Sequence, residues 1–185
     1  MAKLKAVNYR LIDPSTPGGK TLYGVLRALI DEHHTELTDA RFALAWNLSW
    51  APDVDGRVTL GKCKKASDLD RELAAFDFVI ILRRDFIEDA SVTDLQRRAL
   101  IDHELCHAAV ARRVSGEPII DEAGRQCYRI RKHDIEEFSE IVGRYGTYKR
   151  DLEDFASALM RGKQLTLNIE ADQAITATRT SDSVM

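Results

Sequence analysis

Apolar residues change their spacing along this chain, and each change of period predicts an element. From Thr21 to His34, Leu22, Val25, Leu26, Leu29 and Ile30 recur at three- and four-residue intervals, the stripe of an amphipathic helix. The preceding Pro14-Ser15-Thr16-Pro17-Gly18-Gly19 is a loop by composition. Between Arg41 and Trp50 the period falls to two, with Phe42, Leu44, Trp46 and Leu48 on one side, which predicts a half-buried strand. Pro52 to Gly56 turns the chain, Arg57 to Lys62 reads as a short strand and Asp68 to Ala75 as a brief helical connection. The β-branched and aromatic run Phe76 to Leu82 is a third strand.

A helical period returns at Thr93, where Gln96 three residues later completes the pattern of a capping box; the helix is expected to run to about Arg113, before Gly116. Glu117 to Ile120 and Gln126 to Ile130 flank Asp121 to Arg125 as a hairpin. A third helix covers about Asp134 to Arg144 and stops near Gly146, and a fourth spans Arg150 to Arg161 with Leu152, Phe155, Ala156 and Leu159 on one face. From Gly162 the chain turns polar, and Asn168 to Met185 reads as a loose tail. This mixture of helices and short strands is of the α+β class. The chain is long enough for one domain, placed at residues 20–162 between an N-terminal segment, 1–19, and a flexible tail, 163–185.

Composition narrows the setting. With 44% apolar and 31% charged residues the chain can bury a core and has no bias toward disorder. No apolar run follows the basic N-terminus, so neither a secretory leader nor a membrane partner is expected, and the cytoplasm is the expected location. Three cysteines, Cys63, Cys106 and Cys127, form no paired pattern and are read as reduced thiols. The net charge of −3 disfavours broad nucleic-acid binding, although the doublets Lys64-Lys65, Arg83-Arg84, Arg97-Arg98, Arg112-Arg113 and Arg131-Lys132 leave room for a weak local contact.

The chemistry concentrates in His103-Glu104-Leu105-Cys106-His107, an H-E-x-x-H pattern within the helix expected from Thr93. Residues four apart share a helix face, so two imidazoles can converge on one ion while Glu104 reaches a water beside it. A catalytic Zn²⁺ takes three protein ligands and a water whose pKa it lowers toward ~7, leaving a carboxylate to act as base. One zinc ion is the expected cofactor, with Glu104 as the catalytic residue.

Of five histidines, His33 and His34 belong to the first helix, as surface or helix-end residues, which leaves His133 as the favoured third ligand; Glu136, Glu137 and Glu140 compete for that place. Glu137 or Asp134 could orient a ligating histidine. Cys106 is read as core packing. Tyr145 is a candidate oxyanion stabiliser, with Tyr148 beside it, and the strand Phe76 to Leu82, if at a sheet edge, could accept an extended substrate.

Ala43 to Trp50, Leu60-Gly61-Lys62-Cys63-Lys64-Lys65, Asp102 to His107, His133 to Phe138 and Arg144-Tyr145-Gly146 together resemble the phage metallopeptidases, a zincin group similar to the SprT-like, or Spartan-type, proteases. The resemblance covers roughly residues 20–160. It implies a zincin-like fold: a small mixed β-sheet packed against an N-terminal helix and the H-E-x-x-H helix, with C-terminal helices. It also implies hydrolysis of a protein or peptide substrate, and a host-cytoplasm setting if the chain is phage-encoded. In SprT-like chains the third zinc histidine follows the motif by a few tens of residues, as His133 does here. The metzincin extension after His107 is absent, and no zinc ribbon follows the core. Two other readings stand beside the peptidase: a nucleic-acid-associated protein with a zinc site, and a metal-bound interaction module without catalysis, for which Glu104 would have no use.

Overall fold

Thr16 starts the first helix. Its hydroxyl accepts the Gly19 N–H at 3.1 Å, and Pro17 takes the first turn, where its missing N–H costs nothing. The helix, α1, therefore runs Pro17–His33, four residues longer at its start than the apolar stripe indicates. The computed structural model describes residues 8–136 and 139–163 and separates into two compact units, Met1–Lys132 and His133–Met185.

In the first unit Tyr9–Leu11 (β1), Phe42–Asn47 (β2), Gly61–Lys65 (β3) and Phe78–Arg83 (β4) form one sheet in the order β1-β2-β4-β3. β2 and β4 are parallel, with Leu44 opposite Ile80, and the two outer strands are antiparallel to their neighbours, so the sheet is mixed. Leu44, Phe78, Ile80 and Leu82 are sealed in one core with Leu22, Leu26, Leu29 and Ile30 of α1. That core explains the period-two and helical stripes of the sequence together.

Two strands sit later than the apolar pattern places them. β3 begins at Gly61 rather than Arg57, because pairing of Cys63 with Ile80 makes Cys63 its buried residue, while 57–59 are exposed. β4 begins at Phe78 rather than Phe76; Asp77 before it is tied to Arg41 and Arg71. Ser67 and Asp70 form a reciprocal capping box that starts Asp68–Ala74 (α2). A short helix, Arg84–Glu88 (α3), follows β4 directly and was not expected from the sequence.

The capping box at Thr93 forms as expected: Gln96 N–H donates to the threonine hydroxyl at 3.2 Å and Thr93 N–H to the Gln96 side chain at 2.8 Å. Its helix, Asp94–Cys106 (α4), stops well short of Arg113. His107 is its C-cap, and Ala108–Val110 (β5) leaves as a buried strand paired with Tyr128–Ile130 (β6). Ala-Ala-Val is apolar enough to be read either as a helix end or as a strand; the available partner strand decides it. The expected hairpin of 117–120 with 126–130 forms around its tip: Ile120 and Gln126 bridge, Cys127 N–H donates to the Ile119 carbonyl at 2.8 Å and Asp121 N–H to the Arg125 carbonyl at 2.9 Å, while Tyr128–Ile130 pairs with β5 and Arg112 bridges to Pro118. At its tip the Asp121 carboxylate accepts the N–H groups of Ala123 and Arg125 at 3.0 and 2.8 Å.

The second unit contains Ser139–Tyr145 (α5), closed by Gly146 at φ +66°, and a helix over 150–163 (α6) in which Leu152 is buried while Phe155 and Leu159 are exposed. Residues 134–136 are not helical, so α5 starts later than the expected Asp134. Among the described residues no helix is long and apolar enough to cross a membrane. The expected tail after 163 lies outside the described residues, as does Glu137. The architecture is α+β: a small mixed sheet packed against α1 and α4, with helices at the C-terminal side of the sequence.

Candidate metal centre

The faces of α4 follow from its 3.6-residue turn, about 100° per residue. Ile101 and Leu105, four apart and fully buried, define the core face. His103 and His107 lie on the side turned away from the core, with Glu104 between them and the core on one flank and Asp102 and Cys106, again four apart, on the other.

His107 is the C-cap but keeps helical dihedrals, φ −75° and ψ −23°, so the motif retains its four-residue geometry although the helix proper ends at Cys106. The His103 and His107 rings stand 5.1 Å apart, centre to centre, and nearly perpendicular at 83°. His107 Nδ1 lies 2.8 Å from the Arg131 carbonyl oxygen and donates to it, which fixes the tautomer and leaves Nε2 with its lone pair. Arg131 in turn donates its backbone N–H to the His107 carbonyl at 2.8 Å. This pairing continues the β5–β6 ladder and brings the chain back to the motif.

His133 is the second residue after Arg131, within roughly 7 Å of it along the backbone. His103 and His107 of the first unit and His133, the first residue of the second, are residues that could hold a metal ion. Of the competing carboxylates, Glu136 is exposed, and Glu137 and the Glu140 side chain lie outside the described residues. Asp134 is exposed next to His133.

Glu104 is 3% exposed. Burial raises its carboxyl above the ordinary carboxylate range, while His107 and the Cys63 backbone N–H, which donates to it, pull the other way. Its Oε2 is buried and makes no hydrogen bond. The other wall is Gly61, where a Cβ would run into the Glu104 carboxylate. β3 thus grips the side chain from one side with a missing Cβ and an amide. The same proximity, after burial, pushes the Cys63 thiol up to about 12.

Sequence reasoning missed Gly61, the Cys63 amide and the Arg131 carbonyl. Only the first left a signal, since a glycine inside a strand marks a close approach. Two expectations are corrected. Cys106 is exposed and is not core packing, because Ile101 and Leu105 already occupy the core face. β4 lies between β2 and β3, so the edge strand beside Glu104 is β3 and not the Phe76 to Leu82 segment. Tyr145 and Tyr148 are exposed residues of the second unit.

The residues suit a metal: a buried carboxylate oxygen without a partner, an imidazole oriented through its far nitrogen, and a second imidazole ring 5.1 Å from it. No curated protein and no solved structure matches the chain. A family model described as "Putative phage metallopeptidase" matches residues 20–160. That span covers most of α1, three of the four strands of the sheet (β2, β3 and β4), the motif helix and most of the C-terminal helices, and the chain belongs to this family of metal-dependent peptidases.

Proposed function

We propose that the chain is a zinc-dependent peptidase in which His103, His107 and His133 hold one Zn²⁺ and Glu104 is the catalytic base. The observation that carries the reading is the buried, unpartnered Oε2 of Glu104 on the helix that carries His103 and an oriented His107. Leaving such an atom unpaired costs about 1–3 kcal/mol, which a fold retains where the lone pair has a task. Zinc, when bound, polarises the substrate carbonyl and makes the attacking water more acidic.

Glu104 removes a proton from that water as its oxygen adds to the carbonyl carbon. It then gives the proton to the amide nitrogen as the C–N bond breaks, leaving a carboxylate and an amine. Burial favours the first half of this cycle, because a raised pKa makes the carboxylate a readier proton acceptor. Gly61 and the Cys63 amide hold the side chain in place, and the Arg131 carbonyl holds His107. Asp134 and Glu137 remain candidates to orient His133, and Tyr145 to stabilise the oxyanion. Among the described residues β3 pairs in the sheet with β4 alone, and its outer edge is where an extended protein or peptide substrate would add as a strand.

The nucleic-acid reading has less support. In the basic doublets, Arg83, Arg84, Arg97 and Arg98 each pair with a carboxylate of this chain. The similarity to SprT-like proteases rests on the motif helix and the placement of His133.

The test is hydrolysis of a panel of unfolded proteins with and without chelator. Cleavage that stops in chelator and returns with Zn²⁺ is expected, and cleavage indifferent to chelator contradicts the reading.

A further inference from the structure

The flank of α4 across the histidine pair from Glu104 carries its own set of ligand-type side chains. Asp102 and Cys106 are one turn apart on it, and His34, the C-cap of α1, faces them: His34 Nε2 is 2.7 Å from Asp102 Oδ1. One ligand atom of each of the three lies within 4.8 Å of the others. Their positions are set by the packing of α1 on α4. His34 N–H caps α1 on the Ile30 carbonyl at 3.0 Å, and Arg98, one turn before Asp102, bonds Glu32 at 2.6 Å. The His34 side chain is 14% exposed, whereas Cys106 is open to solvent, so the cluster has a rigid inner side and an accessible outer one.

We propose that His34, Asp102 and Cys106 form a second metal site, for a divalent ion of the zinc type. A mixed imidazole, carboxylate and thiolate set suits zinc and disfavours magnesium and calcium, which take oxygen ligands. Ligand bonds of about 2.0–2.2 Å in a tetrahedron put nitrogen and oxygen about 3.4 Å apart, so the ion takes the place of the His34–Asp102 hydrogen bond with a shift of under ~1 Å. Three protein ligands and an exposed fourth position make the site exchangeable. Occupied, it clamps the end of α1 to the motif helix. It shares α4 with the proposed catalytic centre but no ligand, so each can fail without the other.

The test loads chelator-stripped protein with Zn²⁺ or Co²⁺, desalts it and measures metal per chain by mass spectrometry, with circular dichroism as the check on folding. Cys106→Ser, an exposed and conservative change, is expected to bind one ion fewer than wild type. Wild type loaded with Co²⁺ should show a thiolate-to-cobalt charge-transfer band that Cys106→Ser lacks. His103→Ala/His107→Ala should keep the band, which separates this site from the catalytic one. Equal metal content in wild type and Cys106→Ser, or a band that survives in Cys106→Ser, overturns the proposal and leaves His34 and Asp102 as a helix-to-helix hydrogen bond.

Discussion

Asp77 and Glu104 are both carboxylates sealed from solvent, at 2% and 3% exposure, and the protein treats them in opposite ways. Asp77 accepts the Arg41 backbone N–H at 2.9 Å, the Arg41 guanidinium at 3.2 Å and the Arg71 guanidinium at 2.8 Å. Arg71 is itself 10% exposed, donates to the Gln126 carbonyl at 3.0 Å and stacks over Tyr128, so this carboxylate joins α2 and the β2 and β4 starts to the β6 hairpin. Its lone pairs are all committed to structure. Glu104 has one amide donor and an oxygen with none. A buried charge that is fully paired holds a fold together; one left partly unpaired costs stability and keeps a proton acceptor available.

The contrast can be broken at several points. Asp77→Asn removes the negative charge and leaves the Arg71 guanidinium only Asp121 at 3.8 Å and the Gln126 carbonyl, so it should cost about 3 kcal/mol of folding free energy in denaturant titration. A loss under ~1 kcal/mol would mean that Asp77 is not the joint described. Gly61→Ala drives a Cβ into the Glu104 carboxylate and should lower the turnover of unfolded-protein substrates about 100-fold while metal content is unchanged, because misplacing a reacting group by ~1 Å costs that much. Unimpaired turnover would show that β3 does not position the base. Thr93→Ala removes the capping hydroxyl of α4 and should cost about 1 kcal/mol of stability with no change in metal bound per folded chain. Loss of metal from folded protein would tie the site to the helix start more tightly than the structure implies.

Much of this was legible in the sequence because it is local. The stripe of Leu22, Leu26, Leu29 and Ile30, the alternation of Phe42, Leu44 and Trp46, and the Thr93/Gln96 box each specify an element within a few residues. H-E-x-x-H is local too, since a helix alone brings His103 near His107. What was not legible depends on distant partners. The end of α4 at Cys106 is decided by pairing of Ala108–Val110 with Tyr128–Ile130, and the order of the strands by the crossover that inserts β4 between β2 and β3. The hold on Glu104 comes from Gly61 and Cys63, some forty residues upstream. The exposure of Cys106 could have been read from the helix, because Ile101 and Leu105 leave it no room on the core face. Histidine counting favours His133 as third ligand, whereas the bond from His107 to the Arg131 carbonyl left no sign in the sequence.

Glu104→Gln tests the central claim most directly, with zinc content, thermal unfolding and hydrolysis measured on the same purified protein. The amide keeps the size of the side chain and removes its basicity. The account predicts an unchanged zinc content, a stability within about 1 kcal/mol of wild type and hydrolysis lowered at least ~100-fold. Hydrolysis at the wild-type rate in a zinc-loaded Glu104→Gln protein would contradict it.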